Sequence, residues 1–118
     1  MTGRTIRLTG LSDAPAVAEQ PRVSIQQWRV MRLATAGDVL VGLQDGGLAT
    51  RVSTDLISVR AGQREVTTES GRVYELSGPP ASNPDMLVLL AARVVVSSGP
   101  VVEDVTTQYW ALIEAAAP

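Results

Sequence analysis

The stretch "VSIQQWRVMRLATAGDVLVGLQDGG", residues 23–47, decides the fold. In an extended chain successive side chains point to opposite faces. Trp28 and Val30 therefore fall on one side of the first half, and Met31 and Leu33 on the other. "TAG" (35–37) reads as a turn, and "DVLVGL" then sets Val39, Val41 and Leu43 on a single face. Asp45-Gly46 between two apolar-alternating runs is a strong hairpin signal, because an Asp-Gly pair suits the tight turns that match strand twist. Two paired strands follow.

Downstream, "LATRVSTDLISVR" (48–60) is long for one strand, and its alternation breaks at Leu56-Ile57. Asp55 is read as the bend that sends the second half elsewhere. "TTESGRVYELSGPP" (67–80) reads as a second hairpin. A two-residue Ser70-Gly71 loop would set Glu69 opposite Arg72, Thr68 opposite Val73 and Thr67 opposite Tyr74. That register puts Leu76 on the same side as Glu65, so the pairing is left open. Gly78-Pro79-Pro80 stops the sheet, because proline cannot donate to a ladder. Upstream, "RTIRLTG" (4–10) is a short strand and "LSDAPAVAEQP" (11–21) a loop or arm.

Past the prolines, Asn83, Pro84 and Asp85 form a helix start: a side-chain cap, a proline in the first turn and an acid near the positive end of the dipole. "MLVLLAARVVV" (86–96) is apolar nearly all round, which predicts deep packing against the sheet or a second subunit. Residues 101–114 satisfy helical and strand spacing alike. The expectation is a single domain of the α+β or mainly β class. Residues 1–22 form an N-terminal strand and loop, 23–78 a five- or six-stranded antiparallel meander, curled or barrel-like, and 83–116 a helical or mixed part with one or two helices.

Composition removes much chemistry. The chain has no histidine and no cysteine, and all ten of its basic residues are arginine. Imidazole bases, thiolate nucleophiles, thiolate zinc sites, Schiff bases and the lysine of a phosphate-binding loop are thereby excluded. No cofactor or metal site is expected. The carboxylates Glu65, Glu69, Glu75, Glu103 and Asp104 remain, and in a chain of 118 residues they read as solvated faces rather than a catalytic pair. An enzyme is not expected.

Net charge is −2, unevenly placed. Residues 1–72 hold nine arginines against seven acids, and residues 73–118 hold one, Arg93, against five. An acidic total argues against a dedicated nucleic-acid binder. The alternative reading, a small nucleic-acid-binding barrel, would use Trp28 as a stacking platform with Arg29, Arg32 and Arg51 around it. The leading expectation is a non-enzymatic protein-binding module, with a homodimer as one form of that binding. Its anchors are Tyr109 and Trp110, with Arg72 and Tyr74 at the second hairpin, since interface cores favour aromatic residues and arginine. The first ten residues lack the apolar stretch of a signal peptide, and residues 86–96 are too few to span a bilayer, so a cytoplasmic protein without membrane contact is expected.

The segments "WRV…GDVLVGL" (28–43), "RVST" (51–54) and "TTESGRVYELSGPP" together resemble a group of small uncharacterised proteins from phages and other mobile elements of GC-rich bacteria. The resemblance covers roughly the central fifty residues. It implies an accessory or inhibitor protein acting on a host system, and it carries over no catalytic residue.

Overall fold

The structure, a computed structural model, describes residues 16–44 and 49–117. Among these described residues seven strands form one sheet: β1 (Arg22–Leu33), β2 (Asp38–Gln44), β3 (Thr50–Val52), β4 (Leu56–Arg60), β5 (Glu65–Thr68), β6 (Val73–Leu76) and β7 (Val101–Asp104). Two helices accompany it, α1 (Pro84–Ser98) and α2 (Thr106–Ala115). The strand order is β3-β2-β1-β6-β5-β4, with β7 also on β1. The sheet is not closed.

The expected strand-and-helix division is present, with one change of topology. The chain is not a simple meander: β1 and β6 run parallel, while every other pair is antiparallel. Two three-stranded antiparallel units, β1–β3 and β4–β6, are thus joined side by side through β1. The expected N-terminal strand at 4–10 and the Asp45-Gly46 turn lie outside the described residues.

β1 is the axis of the molecule. Its register on β2 shifts between Gln26 and Arg29, and Gln27 has a positive φ of 51°. An extra residue in a strand reverses its in-out alternation. Val23 and Ile25 before the bulge therefore share a face with Trp28 and Val30 after it. Gly42 on β2 passes directly over this point. A Cβ there would lie 2.4 Å from Ile25 Cγ2 and 2.9 Å from the Gln26 carbonyl oxygen.

Apolar residues collect on both faces. One core holds Val23, Ile25, Trp28, Val30, Leu40, Val66, Tyr74 and Leu76, closed by Val105 and Ile113 of the α2 region. The other holds Met31, Leu33, Val39 and Val41 under Leu90 and Val94 of α1. The alternation read from residues 28–33 and 39–41 thus separates the two cores as expected. The two helices cover opposite faces.

The second hairpin differs from its expected register. Glu65 pairs with Glu75, Val66 with Tyr74 and Thr67 with Val73, and the Thr68 amide bonds the Arg72 carbonyl at 3.1 Å. The loop is therefore three residues, Glu69 to Gly71, not two. Gly71 supplies the reason: its φ of +94° serves the common three-residue loop in which a left-handed glycine forms a bulge. This register buries Tyr74 and Leu76 together and sends Glu65 and Glu75 to the other face. Opposed carboxylates would repel. Arg22 lies between them, bonding Glu65 and, at 2.8 Å, Glu75.

The Gly-Pro-Pro stop also has a use. Gly78 has a φ of +69°, and its carbonyl accepts from Trp28 Nε1 at 3.1 Å and Arg64 Nη2 at 2.7 Å. The Ala81 amide then bonds the Trp28 carbonyl at 3.0 Å. Residues 77–81 thereby run along β1 in the gap between β6 and β7 and deliver the chain to α1 on the opposite face. Asn83 caps α1 as expected, its side chain accepting from the Asp85 and Met86 amides. Residues 101–114 turn out to be both things their spacing allowed: strand β7, then helix α2, divided at Val105.

Candidate interaction surface

Each residue singled out from the sequence has a definite place. Trp28 is fully buried, with its ring edge-on to Trp110 at 6.0 Å between centroids. It offers no face for a base to stack on. Arg29 bonds Asp104 at 2.9 Å and the Ala81 carbonyl at 2.9 Å. Arg32 bonds Asp38 at 2.9 Å and lies 3.5 Å from Glu103. Arg51 is buried, with Nη2 donating to Gln20 Oε1 at 3.0 Å. The four residues of the nucleic-acid reading are thus committed to internal contacts rather than gathered into an exposed cationic platform.

The protein-binding set divides. Arg72 and Tyr74 are buried, Arg72 with Nε donating to the Gln20 carbonyl at 2.8 Å. Tyr74 belongs to the core with Trp28 and Leu76, and neither Arg72 nor Tyr74 is open to a partner. Tyr109 and Trp110, on α2, are half-buried. The Tyr109 hydroxyl donates to Asp38 Oδ2 at 2.8 Å, and the Arg64 guanidinium lies 5.3 Å over the Trp110 ring. Both rings fasten α2 to the sheet.

The electrostatics follow these bonds. Burial pushes the Asp38 carboxyl up, but the hydrogen bonds from Arg32 and Tyr109 and the Arg32 charge outweigh it and leave it below its ordinary value. Burial, and then the bond to Asp38, raise the Tyr109 hydroxyl. Asp104 is likewise pushed up by burial, but bonds from Thr106 and Arg29 bring it below its ordinary value.

The surface that remains lies on the apolar run 86–96, which the sequence predicts to pack against the sheet or a second subunit without marking any of its residues as an anchor. On α1, Val88 is 71% exposed, Leu89 46%, Val95 49% and Val96 58%, with Ala92 exposed between them. At 100° per residue these five positions form one stripe about 120° wide. It lies opposite Leu90 and Val94, the two buried residues of the helix. A stripe that wide ordinarily faces a core. Here it faces outward. The signal was present in the composition, since a helix apolar all round has two apolar faces, and the sheet covers one.

One cleft of about 370 Å³ opens at the C-terminal end of α1. Leu33, Val39 and Val52 line it together with Asp55 and Glu69. Asp55 sits at the expected bend, its carboxylate accepting from the Gly37 amide at 3.4 Å and its carbonyl from the Glu69 amide at 2.8 Å. Among the described residues no group of three acidic side chains could hold a metal, and no helix is long and apolar enough to cross a membrane.

Compared with known proteins, the chain matches no family model, no curated protein and no solved structure.

Proposed function

We propose that the protein is a non-enzymatic binding module that engages another protein surface through the outer face of α1. The observation that carries the reading is the exposed stripe of Val88, Leu89, Val95 and Val96 on a helix whose opposite side is already packed. Scattered exposed apolar residues are ordinary on a protein surface, whereas a contiguous patch marks a place where contact is made. The absence of histidine, cysteine and lysine from the chain supports the same reading, because shape and apolar contact need none of them.

The test is quantitative affinity capture with the immobilised full chain and with its Val88→Glu variant. Position 88 is exposed, and such substitutions shift stability by about 0.5 kcal/mol or less. Any association, with itself or with another protein, is expected to fall at least about tenfold in the variant, since a buried unpaired charge is costly. Equal association by the two proteins, or none by either, contradicts the proposal.

A further inference from the structure

We propose that Arg51 anchors a carboxylate-binding site, in which the side chain of Gln20 holds the place that the ligand takes. The site is separate from the outer face of α1 and does not rest on it.

Arg51 stands on the edge strand β3, opposite Gly42 of β2, and only 7% of it is exposed. A guanidinium keeps its proton throughout the pH range of proteins, so burial cannot neutralise it. A buried charge is costly unless it is paired and hydrogen-bonded. Among the described residues Arg51 forms no ion pair. Its Nη2 donates to Gln20 Oε1 at 3.0 Å, and its Nη1 is buried without a hydrogen-bond partner.

The chemistry of Gln20 explains the orphaned nitrogen. A carboxamide offers one acceptor oxygen beside a donor NH2 group, so it satisfies one outer nitrogen of the guanidinium and not both. A carboxylate has the same planar shape with two acceptor oxygens. It meets an arginine through two parallel charge-assisted bonds, each about twice as strong as a neutral one. The space that the Gln20 carboxamide occupies is thus better filled by a carboxylate. A tetrahedral phosphate fits it less well.

A second cation reaches the same residue. Arg72, 5% exposed, donates from Nε to the Gln20 carbonyl at 2.8 Å. β3 and β6 lie on opposite sides of β1, so the two buried arginines approach Gln20 from both flanks. An anion at this point is attracted by both charges. The way in is short. Gln20 is half-buried and follows a turn in which Ala16, Ala18 and Glu19 are exposed. Swinging this one side chain aside opens both outer nitrogens of Arg51 and leaves the backbone bond from Arg72 intact.

The test titrates the full chain with sodium acetate, sodium chloride keeping the ionic strength constant, and follows the Gln20 side-chain amide and the Arg51 Nε–H by NMR. Saturable shifts at both are expected. A short blocked peptide carrying one glutamate is titrated in parallel. Tighter binding than acetate assigns the site to an acidic side chain of another protein, and equal or weaker binding assigns it to a free small acid. Arg51→Met keeps the bulk of the side chain and removes the charge, and it is expected to weaken binding about tenfold or more. Gln20→Glu supplies the carboxylate from the chain itself. It is expected to raise the thermal midpoint above that of the wild type and to abolish the response to acetate, a gain that a misfolded variant cannot give. Wild-type signals that stay still or move without saturating, an Arg51→Met variant that binds as the wild type does, or a Gln20→Glu variant less stable than the wild type would each overturn the inference.

Discussion

The two helices are held in opposite ways. α1 carries its own instructions: an Asn83 cap bonding two amides, Pro84 in its first turn and Asp85 near its positive end. α2 has no side-chain bond from its N-cap, Val105, and depends on its surroundings. Thr106 Oγ1 accepts from the Val30 amide at 2.8 Å, the Thr106 amide bonds Asp104 at 2.9 Å, Tyr109 reaches Asp38, and Trp110 meets Trp28 and Arg64. The exposed side of α2 is mostly polar or small, with Leu112 the large apolar exception. The exposed side of α1 is aliphatic from Val88 to Val96. A helix tied by specific side-chain bonds needs no further partner. A helix that starts itself and packs through one stripe can leave a second stripe for contact.

The contrast breaks most sharply at Trp28. Its ring backs α2 and its Nε1 holds the crossover to α1. Trp28→Ala is expected to cost about 3–5 kcal/mol and to loosen both ends of the chain past residue 76. Denaturant unfolding measures the loss, and a variant within 1 kcal/mol of wild type by the usual scatter of core deletions would remove Trp28 from the centre of the account.

Asp38→Asn is the next largest and should separate the helices. It leaves Arg32 and Tyr109 without their charged acceptor, at an expected cost of about 1–3 kcal/mol. Acid should act the same way. Asp38 and Asp104 have folded values depressed below their unfolded ones, so their contribution is present above about pH 4 and is lost as pH falls through the folded values. Amide exchange is expected to accelerate in α2 before α1 as pH drops below about 4. Acceleration in α1 first would reverse the comparison.

Asn83→Ala is the smallest. The loss is expected to be about 1 kcal/mol, confined to the first turn of α1, with α2 unchanged. Thermal unfolding with residue-resolved exchange reads it.

Much of the fold is legible in local signals because it is locally caused. Alternation through residues 28–33 and 39–41 separates the two cores, Asn83-Pro84-Asp85 starts α1, and Asp55 marks the bend. The parallel pairing of β1 with β6 is not legible. It joins Arg22–Ile25 to Val73–Leu76, about fifty residues apart, and no turn chemistry records it. The length of the second hairpin loop is not legible either, because Ser70-Gly71 suits a two-residue turn as well as the observed bulge.

The candidate site was less legible than the fold. Tyr109, Trp110, Arg72 and Tyr74 are the expected anchors and Trp28 the expected stacking platform, yet Trp28, Arg72 and Tyr74 are buried and Tyr109 and Trp110 fasten α2. An apolar run reports that a helix is apolar, not which of its sides the sheet will cover. That depends on Met31, Leu33, Val39 and Val41 presenting one apolar face to it.

The most direct measurement follows the methyl groups of α1 by NMR as a soluble paramagnetic probe is added. Strong broadening is expected at Val88, Leu89, Val95 and Val96, with Leu90 and Val94, on the side packed against the sheet, nearly unaffected. Broadening that spreads evenly over both sets, or that spares the outer four, would contradict an outward apolar face on α1.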